Sequence, residues 1–263
     1  MKKFQALGSS LDEILKKFPH LDELPDEDPE ASQCPYCDGY GHIIDEEGKA
    51  RPCVCLKKEI ILSGIESAHI PTKFKDAALD GFQAETIEQK DTLLRAKVFL
   101  KNYSLENPNG LYIYGPTGAG KTHLAVSILK ELIALGFDGV FYNVIDLLDA
   151  IKSTFTPDSD SIPKGQLTQE LNRQVFVLDD FGVQKTSTWV VDRLYALINR
   201  RYQDCKTIII TSNLSLKDLR TRAEDRLVSR LYDMCTEIKI NAGDYRLRSL
   251  RSKGGRGRTS TLR

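Results

Sequence analysis

No stretch of the 263-residue chain approaches the roughly 18 consecutive apolar residues that a membrane span requires. The N-terminus, MKKFQALGSSLDEILKK, lacks the apolar core of a secretory signal. Both absences lead to the expectation of a cytoplasmic protein without a membrane partner. Net charge is missing as well: 37 basic and 37 acidic residues cancel, so whole-chain charge selects no class of partner. No internal repeat is visible, and nothing points to a repeat architecture. In a reducing cytosol, six cysteines argue against a disulfide framework and towards metal ligation or free thiols.

What is present is unevenly distributed. Asp22, Glu23, Asp26, Glu27, Asp28 and Glu30 make an acidic, proline-bearing stretch that reads as a solvated linker. Arg246, Arg248, Arg251, Lys253, Arg256, Arg258 and Arg263 make the C-terminal tail basic, with no acidic residue among them, which permits contact with nucleic acid. Ser10-Leu-Asp-Glu13 reads as a capping box opening a short helix that Pro19 ends. Beyond a connector from Ile60 to Phe82, apolar runs at Leu111–Tyr114, Val140–Val144, Val175–Leu178, Thr207–Thr211 and Glu237–Ile240 alternate with helical patterns at 86–103, 121–135, 145–155, 187–203 and 215–231. Such alternation predicts an α/β three-layer domain around a five-stranded, mostly parallel sheet.

Gly115-Pro116-Thr117-Gly118-Ala119-Gly120-Lys121-Thr122 fits G-x-x-x-x-G-K-[ST], directly after the apolar run Leu-Tyr-Ile-Tyr and before a helical pattern that starts at His123. Backbone N–H groups of such a loop point at phosphate oxygens, and the following helix N-terminus adds positive potential. The cofactor expected is ATP with Mg²⁺. Lys121 would reach the β- and γ-phosphates and the Thr122 hydroxyl would ligate the magnesium. Gly115 to His123 is the expected nucleotide-binding stretch. The run Val-Phe-Val-Leu-Asp179-Asp180 ends in two carboxylates: Asp179 suits the metal, and Asp180 can position or deprotonate the attacking water. Asn213, at the end of Thr-Ile-Ile-Ile-Thr-Ser, has two readings: it orients that water from the same sheet edge, or it caps the next helix.

Cys34-Pro-Tyr-Cys37 and Cys53-Val-Cys55 flank a hairpin-like segment and together suit a tetrahedral four-cysteine site. Zn²⁺ is the expected metal, with an iron–sulfur cluster or plain redox thiols as alternatives. So small a module has almost no core, and metal would supply its folding energy.

GPTGAGKTHLA, VFVLDDFG and TIIITSN, in this order, resemble the AAA+ ATPases of the DnaC/DnaI helicase-loader and IstB transposition-helper group over about residues 70–248. Members usually carry Asp-Glu or, within this group, Asp-Asp where this chain has Asp179-Asp180; the shorter second side chain implies slow hydrolysis. The resemblance implies that Arg230, in Arg226-Leu-Val-Ser-Arg230, is a finger entering a neighbouring subunit's ATP site, with Arg226 in support, and that the protein forms an ATP-dependent homo-oligomer. A solvated helix face paired with Glu224 or Asp225 is the plainer reading of those arginines. Arg246 matches a nucleotide-sensing arginine. Only 23 residues follow Ile240, so a lidless core is expected. The resemblance further implies DNA binding, with single strands expected; Lys152, Phe155, Lys164 and the tail are the candidates for contact, although Phe155 also suits a core.

The division expected is 1–60 for the N-terminal helix, linker and zinc module, 61–85 for a connector, 86–248 for the AAA+ domain and 249–263 for a basic tail. The function implied is that of a helicase loader whose partner is the replicative DNA helicase. The alternatives are a helper whose partner is a transposase, a P-loop kinase of a small metabolite, and a binding module with a static ATP switch.

Overall fold

The computed structural model describes residues 34, 37, 40, 42–44, 50–106, 109–155, 164–182, 187–221 and 225–245. The helix expected after Ser10, the acidic stretch 22–30, Arg246 and the basic tail lie outside the described residues. An antiparallel hairpin comes first, β1 (His42–Ile44) with β2 (Ala50–Pro52). Helix α1 (Val54–Ser67) follows, then α2 (Ile87–Asn102). The alternating part runs β3 (Gly110–Tyr114), α3 (Lys121–Ala134), β4 (Gly139–Asn143), α4 (Val144–Ser153), α5 (Lys164–Leu171), β5 (Val175–Phe181), α6 (Thr188–Gln203), β6 (Thr207–Ser212), α7 (Leu216–Leu219), α8 (Asp225–Met234) and β7 (Cys235–Lys239).

Strands β3 to β7 form one sheet in the order β4-β5-β6-β3-β7, and each described pairing is parallel. Period-two alternation splits the strand side chains between two cores. Leu111, Ile113, Phe141, Val177 and Ile209 pack with Ile61, Leu62 and Ile65 of α1, Ala96 of α2 and most of α3. Tyr112, Val140, Phe176, Leu178 and Ile210 pack on the other face with Leu147 of α4, Leu194 and Ile198 of α6, and Leu227 and Leu231 of α8. This is the three-layer α/β architecture expected. Burial on both faces is why the central strands read as unbroken apolar runs rather than as alternating ones.

Three local outcomes differ from the sequence reading. The stretch read as a connector begins inside α1, which runs without a break through residues 60 and 61 and buries Ile61, Leu62 and Ile65. The pattern at 215–231 is not one helix: α7 ends where the Thr221 hydroxyl and N–H both turn back to the Asp218 carbonyl, and α8 starts at Asp225. Strand β5 continues past Leu178 to Phe181, so both carboxylates of the Asp-Asp pair belong to it.

One side chain ties the sheet to its connections at the edge opposite the C-terminal strand ends. Arg201 of α6 is 1% exposed and stacks over the Phe176 ring at 5.4 Å. Its Nη1 donates to the carbonyls of Leu171 and Arg173 at 3.0 Å each, and Nη2 to those of Gln174 at 2.8 Å and Thr207 at 2.5 Å. Burial lowers its pKa to about 10, which leaves it positive at neutral pH. Replacing Arg201 by Met should cost about 3 kcal/mol or more in urea unfolding, because the carbonyls at the start of β5 and β6 lose their common donor. A loss below about 1 kcal/mol would mean that water takes over those carbonyls.

Candidate nucleotide site and cysteine cluster

In a parallel sheet the C-terminal ends of the strands share one edge. Here that edge brings together the loop after β3, the end of β5 and the end of β6. The loop Gly115–Gly120 turns straight into α3. A Cβ at Gly115 would run into the Ile240 carbonyl, and Gly118 sits at φ 75°, where a side chain would also collide with the Asp244 carboxylate. Glycine is required at both positions for different reasons: close backbone approach at the first, left-handed backbone at the second.

Lys121 is buried, and its Nζ donates to the carbonyls of Gly115 (3.0 Å) and Pro116 (2.9 Å) and to Asn213 Oδ1 (2.6 Å). The Thr122 hydroxyl donates to Asp179 Oδ1 at 2.9 Å. The same carboxylate oxygen accepts from Thr211 Oγ1 at 2.6 Å, and that hydroxyl accepts from the Asp180 N–H at 3.0 Å. Burial pushes the Asp179 carboxyl above the usual carboxylate range, against the opposing pull of its two hydroxyl partners. Asp180 is exposed and held at φ 58°, so its side chain is displaced from the strand's regular alternation. Thr122 and Asp179 together offer hard oxygen ligands of the kind Mg²⁺ takes. Asn213 is not the helix cap that its other reading allowed: Ser215 caps α7 by accepting from the Asp218 N–H.

The loop opens on a cleft of about 560 Å³, within the range of small-molecule sites. Thr117–Thr122, Asp180 and Asn213 line it. So do Phe74, Phe82, Gln83 and Gln89 from the segment before β3, and Ala242 and Tyr245 after β7. The Phe82 ring abuts Gly120. His123 also lines the cleft; its Nε2 is 3.0 Å from the Ala78 carbonyl, and burial lowers its pKa, so the ring is neutral. Thr211 and the lining residues before β3 and after β7 were missed by sequence reasoning. A hydroxyl at the end of a strand was the one available signal for Thr211. The others come from segments whose position over the loop has no sequence motif.

Arg226 and Arg230 share one face of α8, as their spacing requires. Neither lines the cleft. Arg226 lies over the Tyr195 ring at 4.2 Å and 3.8 Å from Asp192, while Arg230 lies over Tyr195 at 4.9 Å and donates from Nε to Asn199 Oδ1 at 2.7 Å. The Asp225 carboxylate instead takes Arg220, at 2.8 Å. Lys152 is exposed, 3.3 Å from Asp149, and Phe155 is exposed rather than core. The side chain of Lys164 lies outside the described residues.

The sulfurs of Cys34, Cys37, Cys53 and Cys55 all lie within 4.8 Å of one another. Cys34 Sγ is 3.8 Å from Cys53 Sγ, and Cys37 Sγ is 3.6 Å from Cys55 Sγ. Four sulfurs bound to zinc at about 2.3 Å form a tetrahedron with edges of about 3.8 Å, so these residues fit the metal. Burial and the neighbouring thiols push Cys55 up to about 12; four thiolates can coexist here only around a cation.

A β5–β6–β3 arrangement that sets the aspartate strand one strand away from the phosphate-loop strand, with Lys121, Thr122, Asp179 and Asn213 in contact, defines an AAA+ P-loop ATPase. The family model for IstB-like ATP-binding proteins matches residues 11–253, and the chain belongs to that family. It is 24% identical to the phage-like element PBSX protein XkdC of Bacillus subtilis over 90% of this chain and 92% of that one. It is 25% identical to the replicative helicase loader DnaC of Escherichia coli K12 over 64% of this chain and 66% of that one. Among solved structures, a DnaC helicase loader superposes with a TM-score of 0.59 at 32% identity, covering 65% of this chain and all of the other. No helix among the described residues is long and apolar enough to cross a membrane.

Two outcomes are expected. Asp179→Asn keeps an oxygen for Thr122 and Thr211 and removes a buried charge. Because burial raises the carboxyl's pKa, the folded state bears the cost of ionisation at every pH above the ordinary carboxylate value. In metal-free buffer at pH 7 the variant should melt at or above the temperature of the native chain, yet lose most of the stabilisation that ATP with Mg²⁺ gives. A lower melting temperature without metal would refute this account of Asp179. Metal analysis of the native chain should find one equivalent per chain, and cobalt substitution should give the intense visible bands of a tetrahedral thiolate site. Less than about a tenth of an equivalent after purification with zinc would exclude a structural site.

Proposed function

We propose that this ATPase is a helicase loader of the DnaC and DnaI type, which uses ATP to assemble on DNA and to deliver the replicative helicase. The observation that carries this reading is the superposition of its ATPase core on the whole of the crystallised chain of a DnaC helicase loader at 32% identity. Curated relatives named as replicative helicase loaders, each 25% identical, support it over 72% and 64% of this chain.

In this reading the chain's own groups divide the chemistry. Phosphate oxygens replace Gly115, Pro116 and Asn213 as partners of the Lys121 ammonium, while N–H groups of the loop and of the first turn of α3 hold the rest of the triphosphate. Thr122 and Asp179, which share a hydrogen bond, would hold Mg²⁺, and that ion would shield the phosphate charge. Asn213 Oδ1, released from Lys121, and the exposed Asp180 orient a water in line with the γ-phosphate. The water's oxygen bonds to phosphorus as the bond to the ADP oxygen breaks, and the water's proton leaves towards Asp180. The short Asp180 side chain makes this step slow unless DNA or a partner improves its aim. Arg230 does not line its own cleft and acts as a finger in a neighbouring subunit, supported by Arg226; the ATP-bound protein is therefore a homo-oligomer. Arg246 adds a sensing contact to the nucleotide.

Cys34, Cys37, Cys53 and Cys55 hold Zn²⁺ in a module within residues 1–60 that grips the helicase. Residues 61–85 run on from it through the second half of α1 and pack on the ATPase domain at 86–248, and 249–263 is a basic tail. The exposed Phe155, with Lys152, Lys164 and the tail, suits single-stranded DNA through stacking and phosphate contacts. The whole assembly works in the cytoplasm.

A pull-down from the lysate of the native host, with zinc-loaded protein and ATP, tests the reading. The replicative helicase should be recovered, and Cys34→Ser with Cys37→Ser should lose it while ATP binding persists. Those substitutions are preferable to truncation at residue 60, which would cut α1 in two. Recovery of a transposase without helicase would reject the loader reading in favour of a transposition helper.

A further inference from the structure

We propose that Gln89 reads the nucleobase, its Nε2 amide donating a hydrogen bond to a ring nitrogen of adenine. This rests on the ATP-site reading and goes beyond it, because nothing in the phosphate loop distinguishes one base from another.

Gln89 is the third residue of α2, and its side chain is committed at one end. Oε1 accepts from the backbone N–H groups of Glu85 at 2.9 Å and Thr86 at 3.0 Å, and the Gln89 N–H returns a bond to Thr86 Oγ1 at 3.3 Å. This is a capping box closed on both sides. Two N–H donors demand an oxygen, so the orientation of the amide is determined by its partners. The Nε2 group is the remaining end. The residue is 4% exposed, Nε2 has no hydrogen-bond partner among the described residues, and the side chain lines the cleft. Nε2 is not one of the described side-chain atoms that are buried without a partner, so the donor is reached from the cleft, where a bound ligand can supply its acceptor.

The chemistry of the lining says which part of a nucleotide would supply that acceptor. Lys121, Asp180 and Asn213 suit phosphate and its attacking water, whereas Gln89, Phe74, Phe82 and Tyr245 line the same cleft with an uncharged amide and aromatic rings. Thr92, one turn further along the same face of α2, donates to the Lys239 carbonyl at 3.1 Å and so anchors this helix to the end of β7, beside the loop that carries Ala242. Aromatic rings with one fixed amide donor form a site for a planar, acceptor-bearing heterocycle. Adenine presents ring nitrogens without hydrogens on every edge. The capping box holds the donor rigid, so little side-chain entropy is lost on binding.

Gln89→Glu is nearly isosteric and keeps an oxygen for the Glu85 and Thr86 N–H groups, so the melting temperature should match that of the native chain. It replaces the cleft-facing donor with an acceptor. ATP with Mg²⁺ should bind about tenfold more weakly, the scale of an unmade buried hydrogen bond. The measurement is calorimetric titration of native and variant protein with ATP and with its 1-deaza, 3-deaza and 7-deaza analogues. One analogue should bind the native chain about tenfold more weakly than ATP and show no further loss on Gln89→Glu, which identifies the nitrogen. An equal loss for ATP and all three analogues would reflect charge alone and would overturn the proposal. So would a native chain that binds all three as tightly as ATP, a result that needs no variant. A native chain that binds no ATP at all would overturn the ATP site itself.

Discussion

The ammonium of Lys121 is shut away from water and held by three neutral oxygens, two from the turn that precedes it and one from Asn213. A buried cation is tolerated only with such compensation. Those oxygens hold its hydrogens in place beside the phosphate loop, where phosphate oxygens can take their positions. The contact with Asn213 also reaches across the sheet, from the loop after β3 to the end of the adjacent strand. The protein's own groups therefore assemble the site around the cation. On the opposite side, Thr211 does the equivalent for Asp179, binding its carboxylate and the backbone of Asp180 with one hydroxyl. A preorganised site of this kind loses little in reorganisation when charge develops on the substrate.

The arrangement depends on strand order. With β6 between β5 and β3, the groups at its end, Thr211 and Asn213, face the aspartates on one side and the lysine on the other. Their two hydrogen bonds would be impossible if β5 paired directly with β3. Arg201 holds the opposite end of the same strands by gathering carbonyls from the starts of β5 and β6. It thereby limits sliding between the two strands whose far ends must keep Asp179 and Thr211 within 2.6 Å.

What was legible in the sequence is what depends on short spacing. The glycines, lysine and threonine of the phosphate loop are contiguous, and a strand ending in Asp-Asp is recognisable beside them. The strands declared themselves because both faces are buried. The four cysteines were legible for the same reason of local spacing. The rest of the cleft lining was not. Phe82 and Gln89 lie more than 25 residues before Lys121, Tyr245 lies far beyond it, and only the fold brings them together. Gln89 would have been read from the sequence as half of a capping box, which it is; its second use is visible only once the cavity beside it is known. Helix α1 was hidden because its first turn overlaps the cysteine motif and its apolar residues sit in what resembled a linker.

Helix α1 also determines how the cysteine cluster relates to the ATPase. Cys53 is its N-cap and Cys55 lies in its first turn, while Ile61, Leu62 and Ile65 belong to the core that packs on α3. Gly64 approaches α3 so closely that a Cβ there would come within 2.8 Å of Ile133 Cγ2. Beyond α1, the Ala68 carbonyl accepts from the Phe141 N–H of β4 at 2.8 Å. The half of the cluster that follows the hairpin is thus fixed to the helix that begins at Lys121, by packing rather than by a flexible tether. If the cluster grips a partner, as proposed, force exerted there meets a continuous packed path into the layer that carries the phosphate loop. A module hung on a free linker could recruit a partner but could not bear on the nucleotide site; a cluster packed in this way could do both.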